Sequence, residues 1–139
     1  MPATRPRKPV EEWTDPRHRR GYAGERAAMT HLLRQGWRIE AHRFRLGRHD
    51  LDLIARRGSL VAFIEVKTRT SSRFGKACEA VGTRKQAVLS RIAETWRQRF
   101  GFPDDRYRFD VITVEAPAGQ SSTLAQVTHI EDAWRGVEK

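Results

Sequence analysis

Residues 49–68 read HDLDLIARRGSLVAFIEVKT, two strand-like runs joined by Arg57, Gly58 and Ser59. The second run, LVAFIEV, is apolar on both faces, which suits a central strand covered on both sides of its sheet. A two-residue turn at Arg57 and Gly58 places Asp52 opposite Phe63 and Asp50 opposite Glu65, all on one face. The two-residue period of a strand adds Lys67 to that face and sends Leu51, Leu53, Ile64 and Val66 to the other. The grouping holds for any even loop and fails for an odd one.

Outward from this hairpin, residues 22–35 form a helix whose apolar stripe is Ala28, Met29, Leu32 and Leu33, with Gly36 as its stop. Glu25 lies on the same stripe, facing the core, where a carboxylate needs a partner. Residues 37–45 alternate as a strand and 46–48 turn into the strand at 50–56. Residues 71–82 read as a loop or short helix, and 83–100 as a second helix with Val88, Leu89, Ile92, Ala93 and Trp96 inward and Thr83 as its cap. A turn with Pro103 leads to a strand at 107–115, a loop at 116–123 and a last strand at 125–130, before Trp134 packs back on the core. The order αβββαββ predicts an α/β protein with a mixed β-sheet flanked by helices.

The 139 residues, 38% of them hydrophobic, suffice for one domain, expected over 21–135. Residues 1–20 hold four prolines among charged residues and are expected to be a flexible basic arm, either a solvated tail or an extra nucleic-acid contact. Lys and Arg number 27 against 17 Asp and Glu, a net charge of +10 that favours a polyanion. Nucleic acid fits better than an anionic membrane, because no segment joins a basic face to a strongly apolar one. Cys78 is the only cysteine, which excludes an intramolecular disulfide and a multi-thiolate zinc site. No apolar run follows the N-terminal charges and none is long enough to span a membrane, so a cytoplasmic protein is expected.

Asp52, Glu65 and Glu25 offer hard oxygen ligands with no cysteine and few histidines nearby, a set suited to Mg²⁺ or Mn²⁺. Such an ion binds a phosphodiester oxygen and activates water, while Lys67 stabilises charge on the phosphorus oxygens or orients that water. Arg43, Arg45, Arg48, Lys76, Arg84 and Lys85 are available for phosphate contacts. Singly, each feature has an ordinary explanation: Glu65 and Lys67 as a strand ion pair, Asp50 and Asp52 as flanks of a turn, Glu25 as a favourable charge at a helix N-terminus. Three acids and a lysine converging in a strongly basic chain are harder to explain that way. The five histidines show no ligand spacing, no serine sits in a nucleophile elbow, and Cys78, Trp96 and Trp134 read as packing residues.

The blocks GYAGERAA, HDLDLIA, FIEVKTR, FGKACEAV and RFDVITV, in this order and at these gaps, resemble the bacterial YraN family over about residues 20–132. That family is similar to archaeal Holliday junction resolvases and the PD-(D/E)xK superfamily, which implies a restriction-endonuclease-like fold and a metal-dependent endonuclease acting on DNA, including branched DNA. By the same resemblance Asp52 matches the acidic-strand aspartate, Glu65 with Lys67 the ExK pair, and Glu25 the helix glutamate that completes the site. His49 and Asp50 stand where the family usually has Gly-Glu. The resolvase likeness implies a homodimer. The alternative is a nucleic-acid-binding module of a DNA-processing assembly whose catalysis is weak or lost.

Overall fold

The computed structural model describes residues 16–69, 81–115 and 126–135. Its elements are α1 (Pro16–Arg34), β1 (Arg38–Leu46), β2 (His49–Arg57), β3 (Leu60–Arg69), α2 (Thr83–Phe100), β4 (Arg106–Glu115) and β5 (Gln126–Trp134), the expected αβββαββ order. The expected loops at 71–82 and 116–123, with Lys76 and Cys78, lie almost wholly outside the described residues, as do residues 1–15 of the arm. Helix α1 begins at Pro16 rather than at Tyr22.

Among the described residues the strands form one mixed sheet ordered β1-β2-β3-β4-β5. As its two-faced apolar run predicts, β3 is central, antiparallel to β2 and parallel to β4. A parallel pair needs a crossover, and α2 lies within it. Helix α1 covers one face, packing Ala28 and Leu32 against Leu53, Ala55, Ala62, Ile64, Ile112 and Val114. Helix α2 covers the other, with Leu89, Ile92, Ala93 and Trp96 against Val61, Phe63 and Val111. Each of the larger aliphatic and phenylalanine side chains removed from water contributes roughly 1.5–3 kcal/mol before chain entropy is counted, and each alanine less. Phe63 is the aromatic hub, 5.9 Å from Trp96, 5.6 Å from Tyr107 and 5.4 Å from Phe109 between ring centroids. Trp134 does fold back, stacking on Phe109 at 3.9 Å.

The hairpin turns one residue later than the sequence suggests. Gly58 takes a φ of 63°, a conformation that suits glycine at a tight turn, and Arg57 pairs with Leu60 around it, so Gly58 and Ser59 form the turn. The register therefore moves by two residues: Ile54, not Asp52, faces Phe63, and Leu53 faces Ile64. A shift of two keeps the faces unchanged, and Leu53, Ile64 and Val66 do pack on the α1 side.

Leu51 does not; it joins the core under α2. Across the ladder β1 pairs His42 with Leu53 and Phe44 with Leu51 in one register, and between these pairs stands Arg43, whose φ is 56°. The bulge of this ladder lies further along, between Ile39 and Ala41. Two further expectations change. Leu33 is 59% exposed, because the stripe facing the sheet is the narrower one through Glu25, Ala28 and Leu32. Thr83 is the first helical residue of α2, and Gly82 is the cap, without a side-chain bond.

Candidate functional site

Pairing between β2 and β3 stops after Leu53 and Ile64. Beyond that point the Asp52 carboxylate accepts the Val66 N–H at 2.8 Å, so a side chain does what a strand carbonyl otherwise would. The exchange brings Asp52 beside Glu65, which is buried and close enough to share a hydrogen bond with it. Burial and the Glu65 charge, with a smaller contribution from Glu25, push the Asp52 carboxyl well above the ordinary aspartate range. Two carboxylates in this position need a proton or a cation between them.

A cation comes from α2. The ammonium of Lys85, in the helix's first turn, pairs with Glu65 Oε2, its side chain 56% exposed against 6% for the glutamate. Burial works against the charged amine, yet Glu65 and, more distantly, Asp52 hold it above the ordinary lysine range. Lys67 shares the strand face of Glu65 and is half-buried. Among the described residues no ion-pair partner is found for it. Across β3 and β4 Lys67 pairs with Thr113, a fully buried threonine whose hydroxyl has no partner among the described residues. Thr113 was invisible to sequence reasoning, because its place opposite Lys67 depends on a parallel register that only the crossover sets.

Glu25 is buried as its place on the stripe predicts, but it is engaged. Its Oε1 lies 2.6 Å from His42 Nε2 and accepts Arg43 Nε–H at 2.7 Å, while Oε2 accepts from the Arg43 guanidinium at 3.3 Å. Burial opposes its ionisation, but these two partners prevail and hold its carboxyl below the ordinary range. Arg43 reaches it from a left-handed backbone, a conformation that costs an arginine about 1–3 kcal/mol. Its ring neighbour is Tyr22, 5.7 Å from the guanidinium carbon. Helix α1 sits this close to the sheet because Gly24 meets Thr68: a Cβ at position 24 would lie 2.1 Å from Thr68 Oγ1.

The structure thus unites Asp52 and Glu65, lays Lys67 on their face, adds Lys85, and keeps Glu25 one step away on His42 and Arg43. Among the described residues no three His, Cys, Asp or Glu side chains form a metal-binding cluster. Mg²⁺ commonly takes only one or two carboxylates and keeps its waters, so the Asp52 and Glu65 pair fits it and Mn²⁺. Of the residues expected to meet phosphate, Arg48 and Arg84 are exposed. Arg45 is partly exposed and donates to the Gly47 carbonyl at 3.1 Å. Arg43, turned inward, is 15% exposed and serves Glu25 instead.

A second buried acid lies away from this pair. Asp110 is fully buried on β4, where Arg108 donates to both its oxygens at 2.8 and 2.9 Å, His129 approaches at 2.7 Å and the Asp132 N–H donates at 2.9 Å. Burial raises its pKa, but these bonds outweigh that and keep its carboxyl below the ordinary range. His129 and Asp132 belong to β5, so Asp110 fastens that strand to the sheet.

A family model described as "Uncharacterised protein family UPF0102" matches residues 24–114, the stretch from Gly24 to the end of β4 that contains every residue of the pair and its surroundings. A UPF0102 protein of Symbiobacterium thermophilum is 43% identical over 95 residues, covering 68% of this chain and 80% of that relative. One from Geobacter metallireducens is 37% identical over 114 residues, covering 82% and 90%. One from Chlorobium phaeobacteroides is 35% identical over 124 residues, covering 88% and 97%. With the family match spanning most of the chain and four fifths or more of each of these relatives covered, the protein belongs to the UPF0102 family.

Proposed function

We propose that the protein is a divalent-metal-dependent endonuclease acting on DNA, including branched DNA. The observation that carries this reading is the meeting of Asp52 and Glu65 at the point where β2 leaves β3. Two carboxylates brought together in a chain of net charge +10 are costly for stability and suited to holding a cation against a phosphate. The restriction-endonuclease likeness of the motifs points the same way.

In this reading Asp52 and Glu65 hold Mg²⁺ or Mn²⁺, which supplies Lewis acidity at a phosphodiester oxygen and lowers the pKa of an attacking water. Lys67, on the same strand face, stabilises negative charge on the phosphorus oxygens or orients the water. Glu25 is proposed as a further ligand, one that His42 and Arg43 hold in place until the ion is bound. Arg48 and Arg84 supply exposed positive charge for the phosphate backbone.

Purified protein incubated with plasmid, single-stranded and four-way-junction DNA in Mg²⁺ or Mn²⁺ tests the proposal. Cleavage is expected for wild type and not for Asp52→Ala or Lys67→Ala; nicking that survives both substitutions rules out this site. One observation favours a second reading, a nucleic-acid-binding module: Lys85 pairs directly with Glu65. Salt-sensitive DNA binding combined with no Mn²⁺ binding by calorimetry would select that module.

A further inference from the structure

We infer that Lys85 is a tethered counter-ion for the Asp52 and Glu65 pair, exchanged for the divalent cation when the site loads and released toward the substrate's phosphate. The inference rests on the reading that this pair holds a divalent cation, and it adds a role that neither the motif nor the strand face supplies.

Three observations carry it. The first is the contact itself, since the Lys85 ammonium sits on Glu65 Oε2, one of the oxygens a divalent ion would need. The second is the placement of charge along α2. Its first turn contains Arg84 and Lys85 and no acidic residue, so two cations occupy the end of the helix where the macrodipole is already positive. Cations stabilise the opposite end of a helix, so local helix energetics do not account for Lys85 there; the carboxylate pair it reaches does. The third is freedom to move. The Lys85 side chain is 56% exposed, and its flexible stem lets the ammonium leave Glu65 without any displacement of the helix backbone.

A divalent ion and an ammonium compete for the same oxygen, so ion entry must detach Lys85. Once detached, the amine projects from a helix terminus that presents Arg84 beside it, and the nearest anion available to it is the phosphate that the ion brings. The site stays neutralised without the ion and gains a phosphate-facing charge with it. A purely structural Lys85 would remain on Glu65 in both states.

The experiment uses the full-length wild-type chain and Lys85→Gln, with Mn²⁺ alone as the probe. Mn²⁺ affinity is measured by titration calorimetry, and the rate at which Lys85 is acetylated by an amine-acylating reagent is measured by peptide mass spectrometry with and without saturating Mn²⁺. Lys85→Gln is expected to bind Mn²⁺ about tenfold more tightly, since no ammonium competes. In wild type, Mn²⁺ is expected to speed acetylation of Lys85 severalfold, because an amine freed from its partner reaches the reagent. If Lys85→Gln does not fold, the acetylation measurement on wild type decides alone. Mn²⁺ binding with an unchanged Lys85 rate, or with equal or weaker affinity in the variant, overturns the exchange and leaves the cation site standing. Absence of Mn²⁺ binding to wild type overturns both.

Discussion

Asp52 and Val66 are joined side chain to main chain, the carboxylate accepting the N–H at 2.8 Å where β2 and β3 cease to pair. The bond fixes the aspartate as firmly as a ladder position would, and it holds the carboxylate beside Glu65 whatever the two charges prefer. The electrostatic cost of the pair is therefore borne by the fold rather than relieved by rotation of a side chain.

Asp52→Asn keeps an acceptor for Val66 and removes the carboxyl whose ionisation burial and the Glu65 charge oppose. The metal-free protein is expected to gain on the order of 1–2 kcal/mol at neutral pH while losing Mn²⁺ binding and cleavage, the usual exchange of stability for function. Urea denaturation in the presence of a chelator measures it; a less stable variant would show that the two acids do not strain the fold.

Acid stability depends on Asp105. Both its oxygens accept from Arg56, at 2.7 and 2.8 Å, and this pairing draws its carboxyl down to about 2. An unfolded aspartate titrates near ~3.9, so the contribution is complete above that value and lost as pH falls through the folded value. Asp110 and Glu25, also held low, act with the same sign. Asp105→Asn should flatten the acid limb of the stability profile and cost on the order of 1–2 kcal/mol at neutral pH. Thermal midpoints followed from neutral to strongly acidic buffer would contradict this if wild type and variant kept a constant separation.

Gly24→Ala places a methyl group against Thr68, with Oγ1 at 2.1 Å and the threonine Cβ at 3.2 Å. The substitution is expected to cost about 1–3 kcal/mol as α1 is pushed from the sheet. Thr68→Ala removes Oγ1, the nearest atom, and leaves a Cβ at 3.2 Å that a small shift accommodates, so the double variant should recover most of the loss. A double-mutant cycle giving additive effects would mean that the two residues do not meet.

Arg84 is exposed in the first turn of α2, two residues from the turn's beginning at Gly82. Arg84→Ala should weaken binding to unrelated DNA sequences equally and lower the slope of log affinity against log salt by about 1. Fluorescence anisotropy across a salt series reads the slope, and an unchanged slope removes Arg84 from the interface.

Strand parity made the acid pair legible before any coordinates, and it survived a misplaced turn because sliding a two-residue turn by one position moves the register by two. Gly58, with its positive φ, lies inside the turn in either placement and so could not choose between them. The position of Leu51 was not legible, because strand parity sends it to the face of Leu53, whereas it packs with Ile54 under α2. Glu25 was legible as a buried acid but not as the partner of His42 and Arg43, whose approach depends on how near Gly24 lets α1 come. Lys85 could be placed on α2 but not on Glu65, since that contact spans the crossover between β3 and β4.

That crossover also orders events in time. The β2 and β3 hairpin is local and such hairpins close within about 1–10 μs, whereas the parallel pairing of β3 with β4, which seats α2, must close a long loop and comes later. On that ordering the two acids are expected to meet during refolding before their lysine arrives. If the pair holds a divalent ion as proposed, an ion present during refolding would meet a bare carboxylate pair and one added afterwards would find the place taken, so the route of preparation would set how fast the site loads.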